Sequence, residues 1–189
     1  FRQAGFQPIC SVDFNTDAIK TYKQNFSSCN AIVGDIRDEA LQQQLLDNYK
    51  NIDVLIGCPP CQAFSKRNLK SNKEHDLKNE LPLIFSRLAV ELQPQVIFMQ
   101  EVPQCQRLLP DIKQILNSGG YEIQHKVVYA SNHNVPQKRK RFILVAVKPH
   151  VSFEFPIEKP TISVDQALQQ NPTPEVGSIV SEKTRNKIQ

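Results

Sequence analysis

The chain has 189 residues, of which 40% are hydrophobic and 22% charged, with a formal net charge of +4 at pH 7. This balance excludes a disordered or fibrous chain and is typical of one globular domain, while the basic bias is compatible with a polyanionic partner. The odd number of cysteines, five, argues against a disulfide framework. No apolar run approaches the roughly 20 residues that cross a bilayer, and nothing resembles a signal peptide. We therefore expect no membrane partner and no secretion, with a cytoplasmic location or, in a eukaryote, a nuclear one.

Short apolar runs alternate with segments of helical periodicity, which is typical of an α/β fold with a parallel sheet. The predicted strands are Pro8 to Val12, Ala31 to Val33, Val54 to Ile56, Val96 to Met99, Tyr121 to Ala130 and Phe142 to Val147. The predicted helices are Thr16 to Phe26, Glu39 to Tyr49, Leu81 to Leu92 and Leu108 to Leu116. Prolines become frequent from Pro149 onward, so we predict one domain over 1–149 and a linker or a further region over 150–189.

Polar residues follow the ends of several predicted strands. In an open parallel sheet, ligands bind beyond the carboxyl ends of the strands. A single acid or amide at such a position could simply cap the next helix. The set as a whole predicts a binding site along this edge of the sheet, and it comprises Asp13, Gly34, Asp35, Cys61, Gln100, Glu101 and the loop from Asn132 to Arg141.

Cys58-Pro-Pro-Cys61 directly follows a predicted strand. Pro59 and Pro60 fix φ and remove two backbone donors, so Cys61 lies in a shaped loop. The spacing leaves three interpretations open: a small buried hydrophobe, a redox dithiol, and a nucleophile that adds to an electrophilic carbon. A zinc site is disfavoured because the four histidines provide no complementary ligand pair. We expect the remaining cysteines to be small buried residues, and these are Cys10, Cys29 and Cys105.

Two motifs resemble those of the DNA (cytosine-5)-methyltransferases and occur in that family's order. Cys58-Pro-Pro-Cys61-Gln-Ala-Phe-Ser65 resembles the Pro-Cys-Gln loop, and Val135-Pro-Gln-Lys-Arg-Lys-Arg141 resembles the Gln-x-Arg-x-Arg segment. Between them, Val96 to Pro103 stands where the family carries its Glu-Asn-Val strand end. The resemblance covers residues 1 to 149, and 150–189 is similar to the lead-in to a target-recognition region.

This resemblance implies a doubly wound, Rossmann-like methyltransferase sheet that uses S-adenosylmethionine to methylate C5 of cytosine in double-stranded DNA. The nucleophile that it implies is Cys61, which would add to C6 of a base flipped out of the duplex. Cys58 would then be a neighbour that packs in the loop. The other catalytic positions implied are Gln100, Glu101, Arg139 and Arg141. The cofactor-binding positions implied are Asp13, Phe14, Asp35, Ile36, Pro59 and Leu81. No metal is expected, and a restriction endonuclease of the same system is an expected partner.

The match departs from the family at its start. The first strand and the glycine-rich turn that cradles the cofactor would precede Phe1. A sheet without this central strand exposes two edges. We therefore expect that the functional polypeptide has residues ahead of Phe1 or receives the strand from elsewhere.

A second departure concerns the catalytic acid. A gapless alignment through Met99 and Pro103 places Gln100 at the family's glutamate and Glu101 at its asparagine. An amide cannot donate a proton as a carboxylic acid does, so we predict that Glu101 takes this role. The alternative is a catalytically impaired relative that binds nucleic acid or regulates. A third departure is Asn134, which replaces a glycine but tolerates positive φ better than most residues.

Overall fold

The computed structural model describes residues 1–60 and 81–170. Its strands are β1 (Cys10–Asp13), β2 (Asn30–Val33), β3 (Val54–Gly57), β4 (Val96–Glu101), β5 (Glu122–Tyr129) and β6 (Lys140–Val147). Its helices are α1 (Thr16–Asn25), α2 (Glu39–Asn48), α3 (Leu81–Leu92), α4 (Leu109–Ser118) and α5 (Val164–Gln170). Short 3-10 helices span Arg2–Ala4, Pro103–Leu108 and Ala130–His133. The predicted strands and helices are all present, with most ends shifted by one or two residues, whereas α5 and the 3-10 helices were not predicted.

The strands form two sheets rather than one. β1 pairs with β2 in parallel, and the second sheet has the order β3-β4-β6-β5. β3 and β4 are parallel, as predicted, but β4 and β6 run antiparallel, so this sheet is mixed. Over the described residues, β1 and β3 are not paired with each other.

Leucines of two helices connect the two sheets through a common apolar layer. Leu41 and Leu45 of α2 cluster with Leu88 and Leu92 of α3. This cluster contacts half-buried residues of both sheets: Cys10 and Val12 of β1, Ile32 of β2 and Leu55 of β3. The helices pack there because their apolar residues recur at i, i+4, which places them on one face.

The larger core lies on one face of the four-stranded sheet. Alternate residues of β4 and β6 point into it, including Ile97, Met99, Phe142 and Leu144, each fully buried. Residues of α3 and α4 cover them, among them Ala89 and Ile112. Of the cysteines predicted to be buried, Cys29 and Cys105 are buried and Cys10 is half-buried.

The chain divides into two compact units. The first comprises 1–127 and 141–155, and the second comprises 128–140 and the segment from 156 onward. Within the second unit, the side chain of Asn132 donates to Glu158, and the N–H of Lys159 donates to the carbonyl of Asn132. Neither unit contains, over its described residues, a helix long and apolar enough to cross a membrane. The predicted boundary at 149/150 stays a prediction.

Candidate active site

The ends of three strands converge at one edge of the four-stranded sheet. Gly57, the last residue of β3, is in register with Met99, so Cys58 follows at the level of Gln100. Glu101, the last residue of β4, is in register with Phe142 near the start of β6. We refer to Cys58, Gln100, Glu101 and Arg141 as the β3-β4-β6 edge. A thiol, an amide, a carboxyl and a guanidinium therefore lie at neighbouring strand ends.

The thiol of Cys58 responds to the charges around it. Although the residue is exposed as a whole, partial removal of the sulfur from water raises the pKa of the thiol, and the negative charge of Glu101 raises it further. The backbone N–H of Gln100 and the positive charge of Arg141 oppose this rise in pKa without cancelling it. Cys58 thus keeps its proton over a wider pH range than an ordinary cysteine and is not an activated thiolate.

Glu101 and Gln100 point to opposite faces of the sheet. Glu101 is 6% exposed and shares the core face with Met99 and Phe142, and its Oε2 accepts the N–H of Val102 at 3.2 Å. Gln100 is half-buried and is in register with Ile143 on the other face. Because side chains alternate along a strand, Arg141 lies on the same face as Ile143 and Gln100. By strand alternation, Arg141 and Gln100 therefore lie on the same face of the sheet.

The predicted nucleophile, Cys61, lies outside the described residues. Of the residues that flank it in the described ranges, Pro59 is buried, Pro60 is exposed, and Leu81, which begins α3, is half-buried. Cys61 is therefore three residues beyond a thiol that the structure locates at the β3-β4-β6 edge. The roles of Cys61, Pro59 and Leu81 stay predictions.

The two predicted arginines occupy different structural settings. Arg141 is the second residue of β6 and is half-buried. Arg139 is exposed and precedes the strand; its N–H donates to the carbonyl of Gln137, and its own carbonyl accepts the N–H of Ala130. Strand alternation begins only at Lys140, so the pleat of β6 does not test the role predicted for Arg139.

A second group of predicted residues lies at the carboxyl ends of β1 and β2. The N–H of Gly34 donates to the carbonyl of Asp13 at 3.0 Å, which holds the two strand ends together. The Asp13 carboxylate accepts the N–H of Asn15, and Asn15 in turn caps α1. Phe14 is 71% exposed. An acid and an aromatic side chain are thus presented to solvent next to the turn that contains Asp35.

Asp35 is held by an arginine that sequence reasoning did not single out. Its carboxylate accepts two donors of the Arg37 side chain and the backbone N–H of the same residue. The side-chain hydrogen bonds from Arg37 are the main reason that the pKa of Asp35 is lowered. Ile36 packs against the large core, and its carbonyl accepts the side-chain amide of Gln42. The signal in the sequence was the Asp-x-Arg spacing in a turn.

Among the described residues no group of three or more His, Cys, Asp or Glu side chains could hold a metal ion. The two groups of strand-end residues are therefore described by their acids, amides, arginines and thiol alone. This inventory is suited to binding and proton transfer through organic side chains.

Comparison with known proteins supplies an independent view of the same residues. A family profile described as C-5 cytosine-specific DNA methylase matches residues 1–189. The Type II methyltransferase M.Eco47II of Escherichia coli is 34% identical over 153 residues, which are 77% of this chain and 35% of that protein. M.XorII of Xanthomonas oryzae pv. oryzae is 29% identical over 161 residues, 78% of this chain and 37% of the relative. The chain thus spans little more than a third of the length of these two relatives.

Solved structures resemble the fold as well. A prophage-encoded E. coli protein described as a DNA modification methyltransferase has a TM-score of 0.70 and 27% sequence identity, over 92% of this chain and 51% of that one. DNMT2 of Spodoptera frugiperda has a TM-score of 0.62 at 21% identity, over 86% of this chain and 49% of that one. The second likeness concerns the fold alone.

Proposed function

Because the chain belongs to the C-5 cytosine-specific DNA methylase family, we propose that it methylates C5 of cytosine in double-stranded DNA with S-adenosylmethionine as methyl donor. The proposal includes a flipped-out target base and a covalent adduct between Cys61 and C6. The observation that supports it is that Cys58, Glu101 and Arg141 lie at the ends of three neighbouring strands. Cys58 is three residues before Cys61 in the sequence.

Cytosine C5 is a poor nucleophile, and the proposed addition to C6 makes it a better one. The thiolate of Cys61 forms a bond to C6, and the electron pair of the C5–C6 double bond moves toward C5 and the N3 side of the ring. A proton donated to N3 by the carboxyl of Glu101 offsets the charge that develops there. Arg141, at the same edge, is suited to donate a hydrogen bond to the base oxygen O2.

The second half of the reaction restores the aromatic ring. S-adenosylmethionine, when bound, supplies an electrophilic methyl group for C5. Loss of the C5 proton to a base then returns the electron pair to the C5–C6 bond, and the bond between Sγ of Cys61 and C6 breaks. The thiolate is regenerated, and the proton on N3 returns to the enzyme.

The residues at the ends of β1 and β2 fit the adenosine part of this donor. Asp13 presents a carboxylate of the kind that binds ribose hydroxyls after a parallel strand, and the exposed ring of Phe14 offers a stacking surface. The carboxylate of Asp35 is of the right type to accept an exocyclic amino group, with Ile36 beside it. We assign the cofactor to Asp13, Phe14, Asp35 and Ile36, with Pro59 and Leu81 as further contacts.

The DNA backbone would be bound by basic residues before and at the start of β6. Lys138, Arg139 and Lys140 are all exposed. Such residues contribute affinity through phosphate contacts and give no sequence specificity. Reaction on a stacked base requires flipping, whose cost these contacts offset. A restriction endonuclease with the same specificity is the partner that the Type II relatives suggest.

Covalent trapping tests the proposal directly. Duplexes of randomised sequence that contain 5-fluorocytosine would be incubated with the protein and S-adenosylmethionine, and complexes stable to denaturant would be counted. We expect trapping by the unaltered protein and none by Cys61→Ser, because fluorine blocks proton loss from C5 only after addition and methyl transfer. Absence of trapping in a protein that binds both DNA and cofactor would refute methyl transfer.

One observation favours a second candidate, a relative that binds nucleic acid without methyl transfer. Gln100 lies on the face of the sheet that it shares with Arg141, whereas Glu101 lies on the core face with Phe142. If the base approached from the Gln100 face, an amide would meet it where an acid is needed. DNA binding without any trapped complex is the result that this candidate predicts.

A further inference from the structure

Arg37 donates hydrogen bonds to the carboxylate of Asp35, the group that is proposed to accept a hydrogen bond from the cofactor. Its Nε lies 3.0 Å from both oxygens of Asp35, its Nη2 bonds to Oδ2, and its backbone N–H lies 2.9 Å from Oδ1. Three N–H groups of one residue thus converge on a single carboxylate.

A carboxylate has about four lone-pair directions in its plane. At Asp35 the backbone N–H and the guanidinium fork take the favourable ones, with Nε shared between the two oxygens. An exocyclic amino group that approached in the same plane would meet the guanidinium first. Asp13 differs, since Asn15 donates to its Oδ1 alone in the described part of the chain.

The ion pair is nevertheless one that can open. The two side chains are 49% and 39% exposed, and exposed ion pairs are weak because water and salt compete with them. The backbone N–H of Arg37 would stay on Oδ1 when the guanidinium moves away, so the carboxylate would keep its orientation. Removal of the side chain therefore leaves the turn intact.

We propose that Arg37 and the adenine amino group compete for the carboxylate of Asp35, so that Arg37 lowers cofactor affinity and must swing away when the cofactor binds. This inference rests on the proposed function, because it takes Asp35 as the adenine acceptor. Arg37 is a residue that sets affinity and specificity for the base and takes no part in the reaction.

Competition has a consequence for base specificity. A hypoxanthine ring carries a carbonyl oxygen where adenine has its amino group. That oxygen repels the carboxylate of Asp35 but can accept a hydrogen bond from the guanidinium of Arg37. Arg37→Gln is therefore expected to improve binding of the adenine form only and to widen the preference for it over the hypoxanthine form.

Calorimetric titration with S-adenosylhomocysteine and S-inosylhomocysteine tests the inference without any turnover. We expect Arg37→Gln to bind S-adenosylhomocysteine about two- to fivefold more tightly than the unaltered protein, the range that a weak surface ion pair allows. Asp35→Asn should bind it more weakly, and adding Arg37→Gln to Asp35→Asn should change nothing further. Arg87→Gln, which removes an exposed arginine of α3, is the matched control and should leave affinity unchanged.

The outcomes separate this inference from the proposed function. Binding that is weakened by Asp35→Asn but unchanged or weakened by Arg37→Gln would overturn the competition while leaving the cofactor assignment in place. Lack of binding by the unaltered protein and by every variant would overturn both. An equal gain in affinity for both ligands would also refute the competition, because only the adenine form has the amino group.

Discussion

Gly57 lies against the ring of Phe85, so close that a Cβ on Gly57 would come within 2.5 Å of the ring's Cζ. Phe85 is a buried residue of α3, and Gly57 is the last residue of β3, directly before Cys58. The glycine thus allows α3 to pack tightly under the strand that leads into the candidate active site.

Gly57→Ala is therefore expected to destabilise the protein by about 1–3 kcal/mol, because the ring or the strand end must move to admit the methyl group. Urea unfolding followed by circular dichroism measures this loss. In a Phe85→Leu background the smaller side chain should relieve most of it. An equal loss in both backgrounds would contradict the steric explanation.

Substitutions at Glu101 and Gln100 should show which of the two residues assists the reaction. We expect Glu101→Gln, which preserves shape, to reduce trapping on 5-fluorocytosine DNA by about a hundredfold or more, the usual contribution of a general acid. Gln100→Ala should retain trapping. Loss of trapping in the Gln100 variant alone, or a gain from Gln100→Glu, would assign the base-binding face to Gln100 instead.

Alkylation of Cys58 should report the charge of Glu101. Because burial and the Glu101 carboxylate raise the pKa of this thiol, Glu101→Gln should lower the pH at which iodoacetamide modifies Cys58. Peptide mass spectrometry distinguishes Cys58 from the other cysteines. Glu91→Gln, an exposed change on α3, should leave the pH dependence as it was. A shift to higher pH in the Glu101 variant would mean that the two groups do not interact as described.

Tyr121 should make stability fall at alkaline pH. Burial raises the pKa of its hydroxyl from 10.0 to about 12, so the unfolded state loses this proton first. The protonated hydroxyl therefore contributes fully to the free energy of unfolding below about pH 10, and this contribution is lost as the pH rises from about 10 to about 12. Tyr121→Phe lacks the ionisable group, and it also loses the hydrogen bond that the hydroxyl donates to the carbonyl of Pro94 at 2.7 Å.

Unfolding of the two proteins at pH 8 and at pH 11 tests this expectation. At pH 8 Tyr121→Phe should be less stable by about 1–2 kcal/mol, since it leaves a buried carbonyl without its donor. The difference should shrink at pH 11. A difference that stays constant between the two pH values would show that the pKa of Tyr121 is the same in the folded and the unfolded state.

Asn134 should be replaceable by glycine and not by valine. It has φ 60° and ψ 21° at the end of the 3-10 helix Ala130–His133, in the left-handed region that β-branched residues avoid. We expect Asn134→Gly to change the free energy of unfolding by less than about 0.5 kcal/mol and Asn134→Val to cost about 1–2 kcal/mol. Equal effects of the two substitutions in urea unfolding would contradict this explanation.

Helices and strands could be predicted where the signal lies in neighbouring residues of the sequence. α3 begins and ends at the predicted residues, Leu81 and Leu92, because its apolar periodicity stops just before Pro94. β6, by contrast, begins at Lys140 rather than at the predicted Phe142. Backbone pairing extends it into a basic run whose side chains carry no strand signal. The antiparallel pairing of β4 with β6 is a long-range contact that periodicity cannot reveal.

The ends of several strands were predictable from the sequence, but the pairing of the charges near them was not. The strand ends at Asp13, Asp35 and Glu101 follow from the α/β pattern. The pairing of Arg37 with Asp35 depends on the geometry of one turn, and the contrast between Gln100 and Glu101 depends on which face of β4 is buried. The sequence indicates that adjacent residues of a strand face opposite sides, but only the packing shows which of the two sides is buried.

The two-stranded sheet carries a consequence for local unfolding. Two strands alone are marginally stable, so β1 and β2 depend on the leucine layer of α2 and α3 to stay paired. Their amides should exchange with deuterium through local opening, well before those of β4 and β6. Asp13 and Asp35 lie near the ends of these two strands, so a ligand bound there would make local opening of β1 and β2 less frequent. Slower amide exchange in β1 and β2 would then report binding at this edge, whether or not any methyl group is transferred.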